Sequence, residues 1–166
     1  GVSKFDGTTW TTYNTTNGLV NNYVKRVVVD AQGNKWFGTS GGVSKFDGTT
    51  WNTYNTTTGL ASNVVNSIVI DAQDNKWFGT SGGVSKFDGT SWINYSTTNG
   101  LANNGVSSIA IDAQGNKWFG TDGGASMLVG NTILSVNSIN ENIASNSTIG
   151  SLGTTDAGAA NAFTYS

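Results

Sequence analysis

Residues 65–95, VNSIVIDAQDNKWFGTSGGVSKFDGTSWINY, decide the fold. The β-branched run VNSIVI ends at the turn-forming cluster DAQDN, KWFGT ends at SGG, VSKF ends at DGT, and WINY closes the unit. Turns rich in Gly, Asp and Asn between short apolar runs are typical of β-hairpins. No apolar pattern of helical period is sustained over ten positions. The stretch therefore predicts four short strands joined by three tight turns.

The same unit recurs along the chain at a constant spacing. Three full copies and a partial fourth are present, at residues 1–41, 42–82, 83–123 and 124–130. A four-stranded antiparallel unit repeated every 40 to 45 residues or so is typical of a β-propeller blade. We therefore predict an all-β chain with about three propeller blades, in a ring that these copies alone do not complete.

The repeated pattern V-x-S-I-x-I-D-x-x-G-N-x-W-F-G-T-x-G-G-V-S-x-F-D-G-x-x-W resembles the two-component regulator propeller repeat. The resemblance covers residues 1 to about 126. Repeats of this family occur in the extracytoplasmic sensor regions of bacterial hybrid histidine kinases and in secreted bacterial proteins. The resemblance implies an extracellular or cell-surface location, facing the periplasm if the parent protein is a sensor.

Composition narrows the function classes. The net charge is −2 and no run of Lys or Arg occurs, which argues against nucleic acid as a partner. No apolar stretch approaches the roughly 18 residues that span a bilayer, so we expect no membrane insertion by this segment. The chain has no Cys and no His, which removes thiol nucleophiles, thiolate metal sites and the commonest general base. We therefore predict a non-enzymatic protein with no cofactor in the propeller part.

One enzyme family deserves comparison, because streptogramin lyases also resemble this repeat. Those lyases use His together with an acidic residue and a divalent cation. The absence of His makes a lyase-like enzyme the least favoured reading of the chain.

The copies differ from one another mainly in the connection that leads into each blade. NGLVNNYVKR, TGLASNVVNS and NGLANNGVSS vary at their last few positions, whereas the strand and turn positions hardly vary. Long connections carry function without disturbing the blades. The candidate ligand-binding residues here are Tyr23, Lys25, Arg26, Asn66 and Ser107. Drift at exposed positions explains the same variation equally simply.

Tryptophans and turn aspartates are the other repeated side chains with possible roles. Trp51 and Trp92, near the outer strand, are candidate platforms for stacking sugars, which would make the protein a glycan-binding lectin. Packing between blades is the alternative for these rings. The aspartates that open the DAQ turns either bind cations or accept backbone N–H groups in Asx-type turns, and the sequence favours the turns because no calcium-loop motif is present.

The tail from residue 131 to 166 contains no copy of the repeat. From about residue 134 it resembles the beginning of a cadherin-like repeat, with E-N, T-I-G-x-L, T-D and T-Y-S in order. That resemblance implies a truncated β-sandwich segment in which calcium binds Glu141 and Asp156. The set of ligands is incomplete, because Gly158 stands where the family has a second acid.

Taken together, these patterns predict a repeat module of a larger secreted or surface-attached bacterial protein that acts in adhesion or ligand binding. Its ligand is an unidentified small molecule, glycan or protein. The alternatives are the ligand-sensing propeller of a hybrid two-component sensor kinase and a propeller lectin. Because the first copy begins at the third strand of a blade, we expect either further blades of the same chain or self-association to complete the ring.

Overall fold

The computed structural model describes residues 1–130 and 132–136, and within them the chain is built of antiparallel sheets. A two-stranded half-blade comes first, formed by β1 (Val2–Phe5) and β2 (Trp10–Tyr13). The tail with Glu141 and Asp156 lies outside the described residues, so the cadherin-like segment and its calcium ligands stay predictions.

Three four-stranded sheets follow the half-blade. Blade 1 consists of β3 (Val24–Val29), β4 (Lys35–Thr39), β5 (Gly42–Phe46) and β6 (Trp51–Tyr54). Blade 2 consists of β7 (Val65–Ile70), β8 (Lys76–Thr80), β9 (Gly83–Phe87) and β10 (Trp92–Tyr95). Blade 3 consists of β11 (Val106–Ile111), β12 (Lys117–Thr121), β13 (Gly124–Val129) and β14 (Thr132–Val136).

Each sheet is a meander in which every strand pairs with the next one along the chain. The predicted strands of residues 65–95 are confirmed, with Ile68 opposite Phe78 and Phe78 opposite Ser85. The first strands of successive blades contact one another, β3 with β7 and β7 with β11. They form the inner side of the stack, and the sheets fan outwards from it without closing a ring.

The repeats extend further than the sequence indicated. The sequence pattern of the partial fourth copy ends at residue 130, but Thr132–Val136 forms the fourth strand of blade 3, with Leu128 opposite Ile133. This strand was missed because it lacks the Trp and Tyr that mark β6 and β10. Ile133 occupies the place of Trp92 and is buried, so an aliphatic side chain fills the same position.

The core lies between the blades rather than inside any one of them. Both faces of blade 2 are covered, which is why the neighbours Trp77 and Phe78 are both buried although they point to opposite faces. The buried residues between blades 1 and 2 are Trp36, Val43, Leu60, Val65, Ile68, Phe78 and Phe87. Those between blades 2 and 3 are Trp77, Val84, Leu101, Val106, Ile109, Phe119, Leu128 and Ile133.

Connectors of ten residues, at 14–23, 55–64 and 96–105, join the last strand of one sheet to the first strand of the next. Each is pinned by one buried leucine, such as Leu60, and by a hydrogen bond to the following blade, such as that from Ala61 N to Ser85 Oγ at 2.9 Å. The third connector contains a short 3-10 turn, Thr97–Asn99. Among the described residues, no helix is long and apolar enough to cross a membrane.

Candidate functional site

The first strand of each blade begins with a β-bulge at the edge of the sheet that carries the connectors. The pairing register shifts between Val24 and Arg26 in blade 1, and the same shift recurs in blades 2 and 3. A bulge leaves one residue without a ladder partner and re-aims its side chain. The residues left over are Lys25, Asn66 and Ser107. Three of the variable positions singled out from sequence thus occupy one repeated structural feature.

These three residues form a continuous row across the inner strands, which we call the bulge row (Lys25, Asn66 and Ser107). Lys25 Nζ donates a hydrogen bond to Asn66 Oδ1 at 2.8 Å. Asn66 Nδ2 donates in turn to the carbonyl of Val106 at 3.0 Å, next to Ser107. Ser107 Oγ donates to the carbonyl of Gly120 at 3.1 Å. Lys25 and Ser107 are exposed, so the row presents polar groups to solvent.

Two further predicted residues flank the row. Tyr23 ends the first connector and is 68% exposed, with its backbone held by Asn21 Oδ1 and Ser40 N. Arg26 lies on β3 beside Lys25, is exposed, and makes no ion pair with any described residue. Tyr23 and Arg26 are thus exposed sequence neighbours of Lys25, whereas hydrogen bonds join Lys25 to Asn66 and Asn66 to the backbone next to Ser107. A ligand-binding role for these residues stays a prediction.

Trp51 and Trp92 lie elsewhere. Each begins the fourth strand of a blade, and each is half-buried. Trp92 stacks on Phe87 with ring centroids 4.5 Å apart, and the backbone of Gly59 lies against the same indole. Trp51 has the same neighbours in Phe46 and Gly18. The two rings pack between blades and do not join the bulge row, and their proposed role as sugar platforms stays a prediction.

The turn aspartates hold local structure and also tie blades together. Asp71 Oδ1 accepts hydrogen bonds from the backbone N–H groups of Gln73 and Asn75, as the Asx-type turn predicts. Its Oδ2 accepts from Trp77 Nε1 at 2.9 Å. Lys117 of the next blade lies 3.7 Å from this oxygen and above the Trp77 ring. Asp30, Trp36 and Lys76 repeat the arrangement one blade earlier.

The electrostatics of these aspartates follow from their partners. Burial has the largest influence on the Asp71 carboxyl and raises its pKa, but the hydrogen bonds from Trp77 and Asn75 and the charge of Lys117 together outweigh it. The pKa of Asp71 therefore lies below its usual range, and the same balance lowers the pKa of Asp30. Both oxygens of each of these carboxylates accept hydrogen bonds from groups of the same blade. Within residues 1–130 and 132–136, no three acidic side chains gather into a group suited to a metal ion.

The bulge itself gave no signal in sequence, because VNSIVI reads as one regular strand. The inter-blade lysines, Lys76 and Lys117, were also missed, because their partners lie in the preceding blade. Their constant place in NKWFGT, before a Trp, is the signal that could have identified them.

Comparisons with known proteins agree with this architecture. Residues 100–123 match the family model described as the two component regulator propeller. The extracellular domain of the putative hybrid two component system BT3049 from B. thetaiotaomicron has a similar fold, with 25% sequence identity and a TM-score of 0.71 over 79% of this chain and 19% of that one. No curated protein sequence matches the chain.

Two other solved structures share the fold. The extracellular domain of the putative one component system BT4673 from B. thetaiotaomicron is 22% identical, with a TM-score of 0.64 over 78% of this chain and 20% of that chain. PorZ, an essential bacterial surface component of the type-IX secretion system of Porphyromonas gingivalis, is 17% identical, with a TM-score of 0.56 over 81% of this chain and 23% of that chain. The chain thus spans about a fifth of the length of these structures.

Proposed function

We propose that this chain is part of an extracellular, non-enzymatic β-propeller module that binds a ligand at the bulge row. The observation that supports the proposal is the repeated bulge, whose unpaired residue differs in every copy (Lys25, Asn66 and Ser107) while the packing residues around it hardly vary. The likeness to extracellular domains of two-component systems supports ligand sensing as the purpose of binding. Adhesion, the other role predicted from sequence, has no separate structural support.

The side chains define the class of ligand. Lys25 and Arg26 supply positive charge, Asn66 and Ser107 supply neutral donors and acceptors, and Tyr23 supplies an exposed ring. Such a set suits an oxygen-rich ligand that carries an acidic group, such as an acidic saccharide. Because the net charge of the protein is −2, only the local positive charge of Lys25 and Arg26 attracts an acidic ligand, and the protein as a whole does not.

The test is binding of the purified protein to an array of neutral, carboxylated and sulfated oligosaccharides. We expect binding to acidic members, and we expect a double variant, Lys25→Ala with Arg26→Ala, to weaken it by about tenfold or more, because two charge-assisted contacts are removed. Lys4→Ala is the matched control, since Lys4 is an exposed lysine on β1, away from the bulge row. Binding that is unchanged in the double variant, or no binding to any member, contradicts the proposal.

A further inference from the structure

Most charged side chains of the described residues follow the repeat. Each copy has a lysine and an aspartate in SKFDG, an aspartate that opens the DAQ turn and a lysine in NKWFGT. Four other charged residues occur in one copy each, and the equivalent positions of the other copies are uncharged. They are Lys25, Arg26, Asp74 and Asp122. A charge that only one copy carries is not needed for the packing that all copies share.

Three of these four charges lie at the edge of the sheets that carries the connectors. Two are the cations at the bulge of blade 1. The third is Asp122, in the turn between β12 and β13, and its backbone N–H donates to the carbonyl of Gly105 at 2.9 Å. Asp74 lies in the turn between β7 and β8, at the opposite edge, and pairs with Lys76 at 2.8 Å. Among the described residues, the three charges at the connector edge make no ion pair.

The carboxylate of Asp122 occupies space that a larger residue fills in the other copies. Gly105 is the counterpart of Tyr23 and Val64. A Cβ on Gly105 would overlap Oδ2 of Asp122, so the third copy replaces the side chain of Tyr23 by a carboxylate from the neighbouring turn. Asp122 is exposed, and so is Ser81 at the same position of blade 2, which has a blade on each side. The exposure therefore belongs to this position of the repeat.

Charges of opposite sign thus lie at the two ends of the bulge row. Lys25 and Arg26 are in blade 1, the neutral Asn66 is in blade 2, and Asp122 lies at the same edge of blade 3 as Ser107. A ligand with acidic groups along its whole length would be attracted at blade 1 and repelled at blade 3. Repulsion between like charges is a common way to exclude the wrong partner.

We propose that the bulge row selects an acidic saccharide that also carries a free amine, with its acidic group at Lys25 and Arg26 and its ammonium group at Asp122. This inference rests on the proposed function, because it concerns the same surface and the same class of ligand. It makes Asp122 a specificity-determining residue. An ammonium group at Asp122 donates a charge-assisted hydrogen bond, whereas an acetamide there gains no such bond and a sulfate is repelled.

The probes are two forms of one oligosaccharide of alternating glucuronic acid and glucosamine, one N-acetylated and one with free amines. They have the same carboxylates and differ in the charge on nitrogen. We expect isothermal titration calorimetry with the full chain to show that the free-amine form binds about threefold more tightly or better, as one exposed ion pair allows. The preference should shrink at high salt, because salt screens exposed charges.

Two variants that restore the residue of the other copies form a matched pair. Asp122→Ser and Asp74→Gly each remove one negative charge, at opposite edges of the sheets. Asp122→Ser should abolish the preference for the free amine, and Asp74→Gly should leave it unchanged. Asp122→Lys should reverse it, because the new cation repels the ammonium group. Circular dichroism checks that each variant is folded.

The outcomes separate this inference from the proposed function. Equal binding of the two forms, a preference that survives Asp122→Ser, or a preference that Asp74→Gly also abolishes would overturn the inference alone. If neither form binds, the inference is overturned as well, and the array of acidic oligosaccharides with the double variant of Lys25 and Arg26 then decides the proposed function by itself.

Discussion

At the scale of single residues, one aspartate in each complete blade interface both stabilises its own turn and contacts the next blade. Asp71 closes its own turn through backbone N–H groups and at the same time orients Trp77 and attracts Lys117 from the next blade. Asp112 makes the same turn and the same bond to Trp118, but no lysine of a following blade is present among the described residues. A comparison of Asp71 with Asp112 therefore measures how much the contact between blades contributes to stability.

Replacing Asp71 by Ala should lower the free energy of unfolding by about 1–3 kcal/mol, because it leaves the buried Trp77 N–H without an acceptor and removes the partner of Lys117. Urea denaturation followed by tryptophan fluorescence measures the loss. The control is Asp112→Ala, which breaks the equivalent turn at an exposed site and should cost clearly less. Equal losses in the two variants would mean that the turn alone matters.

At the scale of elements, most strands were predictable from the sequence, but the β-bulges and the outer strand of blade 3 were not. Alternation of turn residues with short β-branched and aromatic runs predicted β7 to β10. The bulge before Arg26 depends on how β3 pairs with β4, which a single strand sequence does not reveal. The outer strand of blade 3 lost its aromatic markers, so only the pairing of Leu128 with Ile133 shows it. Strand pairing depends on residues of another strand, whereas the periodicity that predicts a strand depends only on residues close in sequence.

For the candidate site, the individual residues were likewise predictable and their arrangement was not. The differences between copies indicated Lys25, Asn66 and Ser107 one by one, because variation within a repeat is visible in sequence. Their joining into one row was not predictable, since it depends on the bulge and on contact between neighbouring first strands. The packing of Trp51 was also not predictable from the sequence, because its neighbours Tyr13 and Gly18 lie on β2 and in the connector that follows it.

The connectors give a second test at this scale. Gly59 has a φ of 130°, and a Cβ there would overlap the Trp92 ring. Gly48 has a similar φ of 111°, but nothing lies within 4 Å of its Cβ position. We expect Gly59→Ala to destabilise the protein by about 3 kcal/mol and Gly48→Ala by about 1 kcal/mol, because only the first adds a clash to the backbone strain. Thermal unfolding compares them, and the reverse order would refute this account of the packing.

At the scale of the whole molecule, stability is spread over interfaces of one kind, repeated from blade to blade. Each interface combines an aromatic cluster, a glycine-to-aliphatic contact and an Asp, Trp and Lys group. In such an array, stability is approximately the sum of the units and of their nearest-neighbour contacts. The junction between the half-blade and blade 1 is the exception, since Val27 and Val29 on β3 of blade 1 are exposed there.

The pH dependence of stability follows from these carboxylates. The pKa values of Asp30, Asp71 and Asp112 are lowered in the folded protein, so the unfolded chain binds protons first as the pH falls. Stability from these groups is therefore complete above about pH 4 and is lost progressively below it. With no His in the chain, we expect a flat profile between about pH 5 and 8. Urea midpoints across this range test it, and a midpoint that rises below pH 4 would contradict it.

The hydrogen bonds that join one blade to the next have a common property. The bonds from Lys25 to Asn66, from Asn66 to Val106 and from Ile109 to Ser67 span 41, 40 and 42 residues, and each bond from a connector to the following blade spans 24. None of these links reaches past the adjacent unit. A recombination event between two of the near-identical GVSKFDGT segments would therefore insert or delete one whole unit and regenerate the same kinds of junction on both sides. Such an event would change the number of bulge residues in a single step, whereas point mutation at the bulge would change their identity.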